Sequence, residues 1–216
     1  RAIARIAGDE AFSGLVGRYL MACPPRRYDL AMAGERFPGF ISNDPISTDL
    51  PFVADLAQLE RAISDCFIAA EPAALTWDAL RELPSSEAAE RHLTLQPSAR
   101  VIRSQWPLRD LWLTAFDTND DDIDIDLSQK PGCFLVHRNE GEIFVREIDD
   151  ELATLLQAAE GEGNTLAELA GALSLGSEPD DVRTFLMLMQ RALALSLFTL
   201  NPVATQLDDT QSLEDL

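Results

Sequence analysis

Apolar and polar positions along this chain follow two different periods, and the switch between them predicts where sheet gives way to helix. Ile123-Asp124-Ile125-Asp126-Leu127 alternates with period two, as a strand with one wet face does. Cys133-Phe134-Leu135-Val136-His137 and Ile143-Phe144-Val145-Arg146 are β-branched and aromatic runs. Asn139-Glu140-Gly141 between them predicts a three-residue hairpin loop with glycine in the left-handed position. Three strands are therefore expected, over 123–127, 133–138 and 143–148. The period then becomes helical. Leu152, Leu155, Leu156 and Ala159 follow the acidic first turn Asp149-Asp150-Glu151 and stop at Gly161. Thr165-Leu166-Ala167-Glu168 is a capping box that opens a second helix, and Val182, Phe185, Leu186, Met189, Leu193 and Leu197 form one stripe on a third.

The preceding residues read as mainly helical with proline-punctuated loops. Phe12, Leu15, Val16, Tyr19 and Leu20 lie on helical spacing between Asp9 and Ala22, and Pro24-Pro25 stops the run. Pro51 occupies a first-turn place, followed by the long stripe Phe52, Leu56, Leu59, Ile63, Cys66 and Phe67, expected to face a core. The runs at 92–95 and 101–103 flank Pro97-Ser98 and suggest a short hairpin before a helix carrying Leu108, Leu111, Trp112 and Phe116. Asp117-Thr118-Asn119-Asp120-Asp121-Asp122 is the clearest polar break. The expected organisation is α+β in two domains: a helical domain 1–116, an acidic linker 117–122, a domain of three strands and three helices at 123–200, and an acidic tail 201–216. The opening residues Ala2 to Ile6 read as the end of a helix already under way, which places the native start upstream of Arg1.

Composition narrows the function classes. The 216 residues are 46% hydrophobic with a net charge of −20. No apolar run approaches the roughly 20 residues of a membrane span, and no signal segment is visible, so no membrane partner is expected. Cys23, Cys66 and Cys133 are odd in number and set among apolar neighbours, which fits reduced core thiols and a cytoplasmic location. Residues 1–116 hold 12 Arg and Lys against 15 Asp and Glu, whereas residues 117–216 hold 5 against 22. A half so acidic repels duplex DNA and attracts a basic peptide. The third helix offers a groove reader only Arg183, Gln190 and Arg191.

Motifs for catalysis are weak. His92 and His137 are the only histidines and lie in different halves, and no spacing marks a nucleophile elbow, a phosphate loop or a dinucleotide fingerprint. Asp55 and Glu60 are five apart and do not share a helix face. The acidic run at 117–122 lacks the glycine and closing glutamate of a calcium loop. A non-enzyme without metal or cofactor is expected.

Phe37-Pro38-Gly39-Phe40, then Leu50-Pro51-Phe52-Val53-Ala54-Asp55-Leu56-Ala57-Gln58-Leu59-Glu60, then Leu95-Gln96-Pro97-Ser98-Ala99-Arg100, with Trp112 beyond, occur in that order. This order resembles a bacterial family labelled as a DNA-binding domain, whose members include the HvfC/BufC-type partner proteins of peptide-modifying iron enzymes. The resemblance covers most of residues 1–116, and the family's usual first helix is not present. It implies a heterodimer with an iron-dependent oxidase of barrel fold, and a small Cys-containing precursor peptide whose cysteines become copper-binding groups. Contact with the oxidase is then expected at Phe37, Pro38, Phe40, Pro97, Ser98, Arg100 and Arg103. Residues 123–198 resemble a PqqD-like recognition element, a winged-helix relative that captures a leader peptide as an added strand. A peptide site is then expected along the third strand and third helix, at Ile143, Phe144, Val145, Arg146, Ile148, Phe185, Leu186 and Met189. The family label makes a DNA-binding transcriptional regulator the alternative.

Overall fold

A computed structural model of the chain describes residues 1–24, 33–116 and 127–200. The fold is α+β, with helices packed around two small antiparallel sheets. The chain opens with α1 (Ala2–Ala7) and α2 (Asp9–Ala22), continues through the short helices α3 (Phe37–Ile41) and α4 (Ile46–Asp49), and reaches the long α5 (Val53–Ile68). Two short helices follow, α6 (Trp77–Glu82) and α7 (Ser85–Glu90), then β1 (Leu93–Leu95), β2 (Ala99–Ser104) and α8 (Leu108–Leu113) with a 3₁₀ turn at Thr114–Phe116. The hairpin β3 (Gly132–Asn139) and β4 (Glu142–Ile148) leads into α9 (Asp150–Ala158), α10 (Leu166–Ala172), α11 (Pro179–Ala194) and β5 (Phe198–Leu200).

The three-stranded sheet has the order β2-β3-β4, and this corrects two sequence expectations. The strand expected at 123–127 lies outside the described residues except for Leu127, which is in no strand. Both edges of β3 are taken, one by β4 and the other by β2, with Ala99 opposite His137 and Ser104 opposite Gly132. The expected hairpin across Pro97-Ser98 does not form either, because β1 pairs with β5, Leu93 opposite Leu200. Both corrections have one physical reason. A short strand has no register of its own and takes whichever partner buries its apolar residues.

The sheet is a wall between two cores. Ile102, Phe134 and Val136 face a cluster built from Ala2, Ile3, Leu15, Ile41, Phe52, Leu56, Leu59, Leu108 and Leu111. Ala99 and Leu135 face the other way, into a cluster with Leu75, Leu93, Leu95, Leu152, Leu155, Leu156, Met189 and Phe198. A strand covered on both faces needs apolar side chains at every position, which is why residues 133–137 read as an unbroken run and not as an alternation. Both cores draw on residues from each side of the expected linker. The long helix is fastened to this wall at both ends. Ser104 Oγ donates to Asp55 Oδ2 at 2.6 Å. Arg138 on β3 donates to the carbonyls of Phe67 and Ala69 at 2.6 and 2.7 Å, satisfying the acceptors that a helix leaves open at its C-terminus.

Candidate peptide-binding edge

The hairpin loop sets the chemistry of β4. It has two residues, Glu140 and Gly141, both at positive φ (51° and 82°), and not the expected three; Asn139 is the last residue of β3 and pairs with Glu142. In such a hairpin the flanking pair exchanges both backbone hydrogen bonds, and bonded and non-bonded pairs alternate from there. Phe144, Arg146 and Ile148 therefore bond to β3. Ile143, Val145 and Glu147 direct their N–H and C=O groups away from it. The far side of β3 agrees with this phase: Arg138, opposite Ile143, donates its N–H to Ser98 and not to β4. Among the described strands β4 pairs with β3 alone, so those three residues present an open ladder edge.

Side chains split the edge into two faces. Ile143 and Val145 pack against the first core. Phe144, Arg146 and Ile148 lie on the opposite face, beside the β3 residues His137, Leu135 and Cys133. The His137 ring stacks on Phe144 with centroids 5.4 Å apart, and the Arg146 guanidinium lies 4.7 Å from the Phe144 centroid. Arg146 Nε donates to His137 Nε2 at 3.2 Å, so the neutral imidazole carries its proton on Nδ1, a buried atom without a partner among the described residues. Burial, reinforced by the Arg146 charge, lowers the His137 pKa to about 4.

Of the expected helix residues, Leu186 is exposed, Phe185 is half-buried against the second core, and Met189 is fully inside it. Val182 and Met187 add exposed apolar surface to α11. Arg191 of α11 bridges to Asp149 at 2.6 Å, tying the helix to the end of β4. Asp149 also caps α9 by accepting from Leu152 N at 2.9 Å. Although burial alone would raise its pKa, these bonds hold it below the usual carboxylate range. Arg183 lies 3.7 Å from Asp180, so both arginines of this helix face a carboxylate.

The residues expected at an oxidase contact fall into two groups. Phe37, Pro38 and Phe40 belong to the short helix α3, with Phe37 and Phe40 set edge-on to Tyr19 at 5.1 and 5.5 Å and Pro38 buried. Pro97 and Arg100 are exposed at the start of β2, and Ser98 is buried. Arg103 is engaged internally: it ion-pairs with Asp150 and donates to Gln157 Oε1 at 2.9 Å and Thr154 Oγ1 at 2.8 Å.

Two surface features went unseen in the sequence. A cleft of about 1060 Å³ runs along α5, lined among others by Ile63, Phe67, Ile68, Trp112 and Phe116, and it reaches β4 at Ile143. Phe67, expected in the core stripe, is 67% exposed here, because the stripe has rotated past the core by the last turn of the helix. At the other end of β4, a polar pocket of about 540 Å³ gathers Asp55, Arg103, Cys133, Glu147, Asp149 and Asp150. Among the described residues no cluster of three or more His, Cys, Asp or Glu could hold a metal, and no helix is long and apolar enough to cross a membrane. No family model matches the chain, and no curated protein matches it in sequence.

Proposed function

We propose that the protein is a non-catalytic recognition partner that captures an extended precursor peptide on the open edge of β4 and presents it to an iron-dependent oxidase. The observation that carries this reading is the phase of the ladder, with Ile143, Val145 and Glu147 directing paired donors and acceptors outward beside apolar surface. An added strand gains register-tolerant backbone bonds there and takes its specificity from side-chain contacts. The acidic residues around the edge, Glu142, Glu147, Asp149 and Asp150, favour a peptide carrying Lys or Arg. The biosynthetic setting, a Cys-containing precursor whose cysteines become copper-binding groups, comes from the resemblance noted for residues 1–116, and a cytoplasmic location is proposed from the three free thiols.

The test is titration of the full chain with the short Cys-bearing peptide encoded beside its gene. Binding should weaken as salt rises and should be lost in Val145→Pro, which removes an outward N–H while sparing the bonds to β3. Unchanged affinity in a folded Val145→Pro protein contradicts capture on β4. A gene neighbourhood with no oxidase and no such peptide contradicts the biosynthetic setting.

A further inference from the structure

The open edge of β4 runs between two features of opposite character. Its first residue, Ile143, lines the apolar cleft along α5, where Phe67 is 67% and Phe116 54% exposed. At its far end, Glu147 lines the pocket that also holds Asp55, Arg103, Asp149 and Asp150; Asp150 is paired with Arg103 and Asp149 with Arg191, which leaves Asp55 and Glu147 as the carboxylates with no ion-pair partner among the described residues. Ile143 and Glu147 are four residues apart on the same face of the strand, which corresponds to about 13 Å. The cleft, at about 1060 Å³, has ample room for a large apolar side chain of a peptide lying along β4. Exposed aromatic residues grouped in this way mark a binding surface.

We propose that the cleft beside Ile143 and the acidic pocket beside Glu147 are two specificity subsites for one extended peptide, selecting a large apolar side chain and a basic side chain four residues apart on the strand that adds to β4. This rests on the β4 capture reading and adds which residues the peptide carries and where. Period-two geometry puts residues four apart on one face of an added strand, so a single peptide reaches both subsites without bending. The pairing is complementary at each end: Ile63, Phe67 and Phe116 cover an apolar side chain, and the carboxylates of Asp55 and Glu147 face a cation.

The experiment is selection of a random dodecapeptide phage library on the full chain, followed by titration of the best synthetic peptide against variants. The expected consensus has Leu, Ile, Phe or Trp separated by three residues from Lys or Arg. Phe67→Gln with Phe116→Gln should weaken that peptide about tenfold or more. Both side chains are largely exposed, so the fold should tolerate the change. Glu147→Gln should weaken it severalfold and flatten its salt dependence. If Val145→Pro abolishes binding while the phenylalanine pair has no effect, the cleft is not a subsite and capture on β4 stands. If a folded Val145→Pro protein binds unchanged, capture on β4 fails and the subsites fail with it. No enriched spacing overturns the inference.

Discussion

Single residues report how closely this molecule is packed. His137 is the most consequential of them, being buried, stacked on Phe144 and facing Arg146 through the nitrogen that would have to gain a proton. Its pKa falls from 6.5 to about 4, so folding opposes its protonation. The unfolded chain then binds the extra proton first, and stability is lost as pH falls from 6.5 towards 4, by about 3 kcal/mol across the window. His137→Phe should keep the stack and flatten this dependence, measured as urea midpoints between pH 7 and 4; equal pH dependence in both proteins contradicts the assignment. Cys66 makes a second case. Burial pushes its thiol up to about 11, and Sγ lies 3.7 Å from the Val136 carbonyl, so alkylation at pH 8 should label Cys66 only after unfolding. The sequence already placed this thiol in a core stripe, from helical spacing alone. Nothing in it distinguished His137 from a surface residue of a wet strand, because that depends on both faces of β3 being covered.

At the scale of elements, local chemistry was legible and partner choice was not. The capping box is present as expected: Thr165 Oγ1 accepts from the Glu168 N–H, and the Glu168 carboxylate accepts from the Thr165 N–H at 2.8 Å. Thr165→Ala should destabilise the protein by about 1 kcal/mol in thermal melts, with no effect on peptide affinity. The acidic start of α9, the extents of α2 and α5, and the β3-β4 hairpin follow from period and caps in the same way. Register across long sequence separations does not. The pairing of β1 with β5 joins residues more than a hundred apart, and Gly163 is required beside it, since at φ +76° any Cβ would lie 2.4 Å from the Leu93 carbonyl oxygen. No local pattern encodes that approach. The expected strand order put 123–127 where β2 lies, so the place of β4 at the end of the described sheet was reached from a different neighbour, and the two-residue loop supplies what the sequence left undecided: which residues of β4 point outward.

At the scale of the whole molecule, the shared sheet makes the two sides of the chain interdependent. The second core takes Leu75, Leu93, Leu95 and Ala99 from before the expected linker, and β3 takes β2, one of its two described partners, from there too. A fragment of residues 117–200 should therefore lack a cooperative thermal transition, whereas residues 1–200 should melt as one unit by circular dichroism; cooperative melting of the fragment alone contradicts a shared core. Charge at this scale argues against the regulator alternative. Acidic residues outnumber basic ones by 22 to 5 beyond residue 116, and Arg183 and Arg191 face carboxylates. Sequence-specific duplex binding at about physiological salt should be absent, as checked by fluorescence anisotropy.

The central claim is that an extended peptide completes the ladder on β4, and amide hydrogen exchange read residue by residue tests it most directly. With a bound peptide from the library selection, Ile143, Val145 and Glu147 should gain protection together, while Phe144 and Arg146, already bonded to β3, change little. Protection that appears elsewhere, with those three amides still exchanging freely, would contradict capture on this edge.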